Sequence, residues 1–193
     1  MNTTFKNIIA AVAMALAANA AYAQHTAPAA APAATAQDAD LDAKYATELL
    51  KPGTAAPDIT LNTLDGKTFT LKSLRGKYVV VDFWASWCPD CRKDAPNIIA
   101  MHRKFGGKGV EFVGVSFDKN RESWAAGVSK LGIPYAQVSD LKPMRESPVA
   151  QAYHIKWIPS VYVIDPEGNV ALSTVMSDKV SAYLTSVYPD CAE

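Results

Sequence analysis

The sequence predicts an α/β domain: a central mixed sheet with helices on both faces and an added N-terminal β-hairpin. Three observations carry this. Short β-branched, apolar runs alternate with amphipathic stretches from Tyr78 to Tyr188, the pattern of strands linked by helices that cover the sheet. Strand-like pairs are joined by turn signals, at Asp65-Gly66 before that stretch and at Pro166-Glu167-Gly168-Asn169 within its last part. The apolar run Tyr78–Phe83 then leads directly into Cys88-Pro89-Asp90-Cys91, two cysteines where a helix should begin.

Each element has its own reason. Asp40 to Leu50 reads as a helix because Leu41, Tyr45, Leu49 and Leu50 share a face, and Lys51-Pro52-Gly53 ends it. Asp58–Asn62 alternates as a strand, Asp65-Gly66 turns the chain, and Thr68–Leu71 returns. Tyr78–Trp84 is apolar enough for a strand buried on both faces. Pro89–Phe105 is the helix after it, stopped by Gly106-Gly107-Lys108-Gly109, and Val110–Ser116 is the next strand. Arg121–Leu131 forms an amphipathic helix carrying Trp124 and Val128, broken by Gly132-Ile133-Pro134. Ala136–Val138 is a short strand and Ser147–Tyr153 a short helix. Val161–Ile164 and Val170–Thr174 pair across the Pro166–Asn169 turn. Asp178 is placed to cap a last helix toward Tyr188, with Val180, Leu184 and Val187 on one face.

The start of the chain has a different character. Lys6 supplies a positive n-region, Ile8–Ala18 an apolar h-region, and Ala21-Tyr22-Ala23 a small-x-small cleavage site. Residues 1–23 are therefore expected to be a signal peptide cleaved after Ala23, and the protein to be periplasmic. Left uncleaved, the same segment would hold the domain at the membrane. Residues 24–39, rich in Ala and Pro, read as a disordered tether, and 40–193 as the folded domain. The 193-residue chain has 19 basic and 19 acidic side chains, so losing Lys6 leaves 18 against 19, a net charge of −1. No basic run suggests nucleic acid as a partner.

The Cys88/Cys91 spacing has direct chemical consequences. Proline suits the first helical position, so Pro89 makes Cys88 the N-cap and puts Cys91 in the first turn. Residues three apart there bring their Cα atoms to roughly 5–6 Å, within reach of a disulfide. The helix N-terminus favours a Cys88 thiolate, which would attack a disulfide while Cys91 resolves the product. Asp90 opposes that thiolate by its charge. Two other readings compete: an inert disulfide, or half of a zinc site. Zinc needs four ligands at recognisable spacing, and Cys191, His25, His102 and His154 form no second pair. No metal and no cofactor is expected. Cys191 is left over as a solvent-exposed terminal thiol, with an intermolecular disulfide as the alternative.

The stretch Val81-Asp82-Phe83-Trp84-Ala85-Ser86-Trp87-Cys88-Pro89-Asp90-Cys91 resembles the thioredoxin superfamily. Gly53-Thr54-Ala55-Ala56-Pro57-Asp58, Asp65-Gly66 and Ser73-Leu74-Arg75-Gly76-Lys77 resemble its exported TlpA/ResA-like, AhpC/TSA-related branch, over roughly residues 52–190. The resemblance implies a thioredoxin-like fold and thiol–disulfide oxidoreductase activity. It implies that Ile158-Pro159 is a cis-proline loop facing the dithiol, with the Ile158 backbone pairing with substrate. It implies that Asp82 is a buried acid placed to take the Cys91 proton. Trp87, Pro89, Asp90 and Trp157 would join Ile158 and Pro159 in contacting substrate, while Trp84 packs the loop. Asp94 stands where relatives often carry glutamate, and His154 is expected at the surface.

Implied substrates are exported proteins with cysteines, as in cytochrome c maturation or disulfide repair, with a membrane thiol donor of the DsbD/CcdA kind. Two other functions compete. A thiol peroxidase of the AhpC/TSA type would need Pro-x-x-x-Thr/Ser-x-x-Cys, but the corresponding positions hold Val81 and Ala85. A non-catalytic binding module would have no use for both cysteines, Asp82 and Pro159.

Overall fold

The computed structural model describes residues 36–191. The expected signal peptide and residues 24–35 of the expected tether lie outside them. The elements are α1 (Ala36–Tyr45), β1 (Thr60–Thr63), β2 (Thr68–Thr70), β3 (Tyr78–Trp84), α2 (Pro89–Phe105), β4 (Val110–Ser116) and α3 (Arg121–Leu131). They continue with β5 (Ala136–Ser139), α4 (Pro148–Ala152), β6 (Ser160–Ile164), β7 (Val170–Thr174) and α5 (Ser177–Val187). Short 3-10 turns follow β2 (Leu71–Leu74) and α5 (Pro189–Cys191).

One seven-stranded mixed sheet runs in the order β2-β1-β5-β4-β3-β6-β7. β3, β4 and β5 are parallel neighbours. β6 runs antiparallel to β3, β7 to β6, and the β1/β2 hairpin joins the other side antiparallel to β5. All seven residues of β3 are buried, as a strand with neighbours on both edges and cover on both faces must be.

Alternate side chains of β3 point to opposite faces, and their partners identify what covers each. Tyr78 meets Tyr183 of α5 and Tyr188 just beyond it. Phe83 meets Phe117, Tyr162 and Tyr153, the residue after α4. The crossovers β3-α2-β4 and β4-α3-β5 step the same way across the sheet, so right-handed connections put α2 and α3 on one face. α5 joins α2 there, through Asn97 Nδ2 to Ser177 Oγ at 3.4 Å. The chain around Leu49 and α4 cover the other face.

Both ends of the described chain depart from expectation. α1 begins at Ala36, inside the stretch read as tether, and stops at Tyr45 rather than Leu50. The early stop is tertiary in origin. The Leu50 N–H donates to Tyr162 Oη (3.0 Å) and the Leu50 carbonyl accepts from Ser173 Oγ (2.7 Å), which pulls 46–50 off the helix axis and buries Leu49. In α5 the cap position belongs to Met176, without a side-chain bond. Asp178 sits in the first turn instead, where its charge suits the helix dipole. Gly168 closes the β6–β7 turn with φ +87°, and the Arg75 guanidinium occupies the place its Cβ would take. Among the described residues no helix is long and apolar enough to cross a membrane.

Candidate active site

β3, an interior strand beside β4, hands the chain to a tight turn. Cys88 N–H donates to the Ala85 carbonyl (3.1 Å), and Phe117 N–H to the Trp84 carbonyl (3.0 Å). Cys88 is the N-cap of α2 in extended conformation, and Pro89 occupies the first helical position, where its lack of an N–H costs nothing. Cys88 and Cys91 are joined as a disulfide with Cα atoms 5.3 Å apart. Both residues are 4% exposed. The Cys91 N–H donates to Cys88 Sγ at 3.1 Å, one of the first-turn amides that would stabilise a thiolate there.

Facing the disulfide is the Ile158–Pro159 bond, which is cis. The Ile158 carbonyl oxygen lies 3.6 Å from Cys88 Sγ, and Ser160 Oγ ties the loop back to the Trp157 carbonyl at 2.7 Å. Trp87 is 55% exposed beside the cysteines. Asp90 is exposed too, with Lys93 Nζ 3.8 Å away. Trp157 is 38% exposed, yet one ring face is occupied by Tyr45 of α1, stacked at 4.3 Å. A cavity of about 550 Å³ lies beside Pro159, walled by Tyr45, Trp157, Asp90, Asp94 and Met176. Trp84 is buried, its Nε1 donating to Gln137 Oε1 at 2.9 Å.

Asp82 is buried on β3, in register with Gly114 of β4 and Val161 of β6. Tyr135 Oη donates to its Oδ2 at 3.1 Å. Burial pushes the Asp82 carboxyl up to about 7; the Tyr135 hydrogen bond pulls it back, and the negative charge of Asp94 pushes it further up. Tyr135 in turn is raised well beyond the ordinary phenol range by burial and by the Asp82 charge. A carboxyl that titrates near neutrality can both take up and release a proton at working pH.

Other expected residues settle elsewhere. Asp94 accepts from Asn97 Nδ2 (2.8 Å) and from Ser177 Oγ, so it ties α2 to α5 rather than sitting free in solvent. His154 is exposed, with Nδ1 3.1 Å from the Glu48 carbonyl. Cys191 is a free thiol, but half-buried and packed against the core instead of fully exposed, because the last 3-10 turn folds back toward Tyr188.

Three residues escaped the sequence reading. Tyr135 follows Gly132-Ile133-Pro134, a segment that shows only a helix break. Gln137 is a polar side chain 6% exposed within a short strand, and its Nε2 has no hydrogen-bond partner among the described residues. Asp118 is buried after β4 and bonds Ser86, two residues before Cys88. Only an acid directly after the apolar run Val110–Phe117 could have pointed to it. Among the described residues no cluster of three or more His, Cys, Asp or Glu side chains could hold a metal ion.

A mixed sheet presenting a helix-capping Cys-x-x-Cys opposite a cis-proline loop defines a thioredoxin-fold dithiol protein. The AhpC/TSA family model matches residues 52–173, and the chain belongs to that family. The thiol-disulfide oxidoreductase ResA of Bacillus subtilis is 28% identical over 145 residues, which cover 74% of this chain and 79% of the relative. The thioredoxin domain of a thiol-disulfide oxidoreductase from Bacteroides vulgatus is 33% identical, with a TM-score of 0.64 over 71% of this chain and 96% of that one. A thiol:disulfide interchange protein from a Bacteroides species is 31% identical, with a TM-score of 0.65 over 71% and 90%. The protein is a thiol–disulfide oxidoreductase.

Proposed function

We propose that the protein is exported to the periplasm and reduces disulfides in other exported proteins through Cys88 and Cys91. The observation that carries this is the Cys88–Cys91 pair at the N-terminus of α2, with the Ile158 carbonyl 3.6 Å from Cys88 Sγ. In the reduced enzyme the Cys88 thiolate attacks one sulfur of a substrate disulfide. A Cys88–substrate bond forms, and the other substrate sulfur leaves as a thiolate and takes up a proton. Cys91 then gives its proton to Asp82, directly or through water, and attacks Cys88 Sγ. The Cys88–substrate bond breaks, the expelled substrate sulfur takes a proton from Asp82 or water, and the substrate leaves as a dithiol with the enzyme as the disulfide. The Ile158 backbone holds an extended substrate segment, with Trp87, Pro89, Asp90, Trp157 and Pro159 around it.

The turnover consumes two electrons, so the oxidised enzyme needs a donor. A membrane thiol carrier of the DsbD/CcdA kind fits an exported domain. Cytochrome c maturation and periplasmic disulfide repair are the settings that supply suitable cysteine-containing substrates. Support for export comes from the n-region, h-region and cleavage site of residues 1–23. A peroxidase reading is weaker: Ala85, buried three residues before Cys88, offers no hydroxyl to polarise a peroxide.

The test is trapping in cells with full-length Cys91→Ser. Mixed disulfides with exported proteins, each joined through Cys88, are expected to accumulate and to disappear in Cys88→Ser. Accumulation with Cys88→Ser but not with Cys91→Ser would reverse the roles of the two thiols. Trapped partners confined to the cytosol would overturn the compartment.

A further inference from the structure

The turn that carries Cys88 is held by a group that the exchange steps do not use. Asp118 is 1% exposed. Its Oδ2 accepts from the Ser86 N–H (3.0 Å) and from Ser116 Oγ (2.8 Å), and its Oδ1 accepts from Ser86 Oγ (2.7 Å). Three donors pointing at two oxygens is the arrangement a charged carboxylate takes. Ser86, half-buried, has further contacts. Its carbonyl accepts from Arg92 Nη1 at 3.0 Å, and its Cβ lies 2.6 Å from where a side chain on Gly127 would begin. A glycine in α3 is thus what lets that helix close over Ser86. The Ser116 hydroxyl also accepts the Asp118 N–H at 3.1 Å, which fixes the carboxylate to the end of β4.

We propose that Asp118 is a positioning residue for the dithiol: it pins the Cys88 turn through Ser86, and its charge sets how readily the Cys88–Cys91 disulfide is reduced. This rests on Cys88 being the attacking thiol. Other charged groups around the turn are differently placed. Asp90 and Lys93 are exposed and paired with each other. Arg92 and Lys156 are exposed, and Asp82 and Asp94 are engaged by Tyr135 and by Asn97 and Ser177. Among the charged groups of the described residues, Asp118 is the one both buried and bonded to the turn. Only Trp87 separates Ser86 from Cys88, so the Asp118 carboxylate is bonded to the same turn that carries the sulfur. A buried negative charge bonded to that turn disfavours the thiolate. It therefore biases the couple toward the disulfide, which makes the reduced enzyme the better donor.

The equilibrium to measure is enzyme disulfide plus two glutathione thiols giving enzyme dithiol plus glutathione disulfide, balanced in electrons and sulfur bonds. Asp118→Asn is expected to shift it about tenfold toward the dithiol, about 30 mV for two electrons, and to lower the pH at which Cys88 thiolate absorbance appears. Ser86→Ala keeps the charge and removes one tether, and should leave both readouts within twofold of the parent. Equal shifts in the two variants, or none in a folded Asp118→Asn, would overturn the proposal. If Asp118→Asn does not fold, the parent protein decides. The Asp118 carboxyl carbon resonance should show an inflection at the Cys88 titration in the reduced enzyme and none in Cys88→Ser; its absence from both also overturns the proposal. Alkylation mapped by mass separates the premise from the inference. Label at Cys91 refutes the assigned nucleophile, whereas label at Cys88 with unchanged equilibria refutes only the role of Asp118.

Discussion

Tyr135 Oη donates to Asp82 Oδ2 across 3.1 Å, joining a side chain between α3 and β5 to the acid on the central strand. Among the described residues this bond is what offsets the burial of the carboxyl. It also makes the acid–base character of Asp82 a property of two distant parts of the chain.

Tyr135→Phe should therefore raise the Asp82 carboxyl above its present value of about 7. The phenol O–H favours the charged form, and removing it leaves burial and the Asp94 charge, which both favour the neutral one. Carbon NMR of the carboxyl in the oxidised protein, over pH 5–9, measures this directly. A midpoint that stays put or falls would show that the hydrogen bond does not act on Asp82.

The same shift fixes the sign of a stability effect. Asp82 titrates near 7 in the native protein and near 4 when unfolded, so the native state holds the proton more tightly. The associated stability is fully present below pH 4 and is lost as pH rises through 7. Asp82→Asn has no such carboxyl. The parent should lose about 4 kcal/mol relative to this variant between pH 4 and pH 8. Parallel urea unfolding curves for both proteins across that range are the check, and a constant difference would contradict it.

A proton-transfer role for Asp82 makes a separate kinetic prediction. Asp82→Asn should slow release of substrate from the Cys88 mixed disulfide by about 10²-fold, the usual size of general-base catalysis, with a smaller effect on the initial attack. Stopped-flow mixing of the reduced enzyme with a peptide disulfide resolves the two phases. Equal slowing of both would point to altered geometry rather than to lost base catalysis.

What was legible in the sequence follows from how local each signal is. β3, α2, β4, α3 and β7 coincide with their expected ranges, because each is set by its own run or periodicity, with Gly or Pro marking ends such as Pro89, Gly106–Gly109 and Gly132. The cysteines and Ile158-Pro159 were legible for a related reason: spacing and a short motif carry them. Tyr135, Gln137 and Asp118 were not, since each matters only through a partner 32 to 53 residues away. Pairing of that kind is decided by sheet register. The end of α1 failed for the same cause, with Tyr162 and Ser173 claiming Leu50 from 112 and 123 residues away.

Sheet register also makes Gly114 a sensitive position. It lies between Asp82 and Gln137 in adjacent strands, and a Cβ there would come within 2.3 Å of Gln137 Nε2. Alanine in a strand ordinarily improves on glycine. Here Gly114→Ala must push Gln137 aside and break its bond from Trp84 Nε1. A loss of about 1–3 kcal/mol is expected, with a change in the fluorescence of buried Trp84. A gain in Tm would show that Gln137 has room to move.

Asp42 is a polar anchor of α1. Asp42 accepts from Thr174 Oγ1 (2.9 Å), from the Val175 N–H (2.9 Å) and from Lys179 Nζ (2.5 Å). The Tyr45–Trp157 stack is its aromatic counterpart, set directly against the cis-proline loop. Leu49 and Leu50 are held independently by the core and by Tyr162 and Ser173, so loosening should stop before them. Asp42→Ala is expected to release α1 without unfolding the sheet. Global stability should fall by no more than about 2 kcal/mol, while limited proteolysis gains a cut between residues 41 and 48. Trp157 emission should shift to the red as its stacked face meets water. Tyr45→Ala, which leaves the Asp42 bonds intact, should produce the emission shift with little of the cleavage. If both variants were cut equally, the aromatic stack and not the carboxylate would be what holds the helix beside the active site.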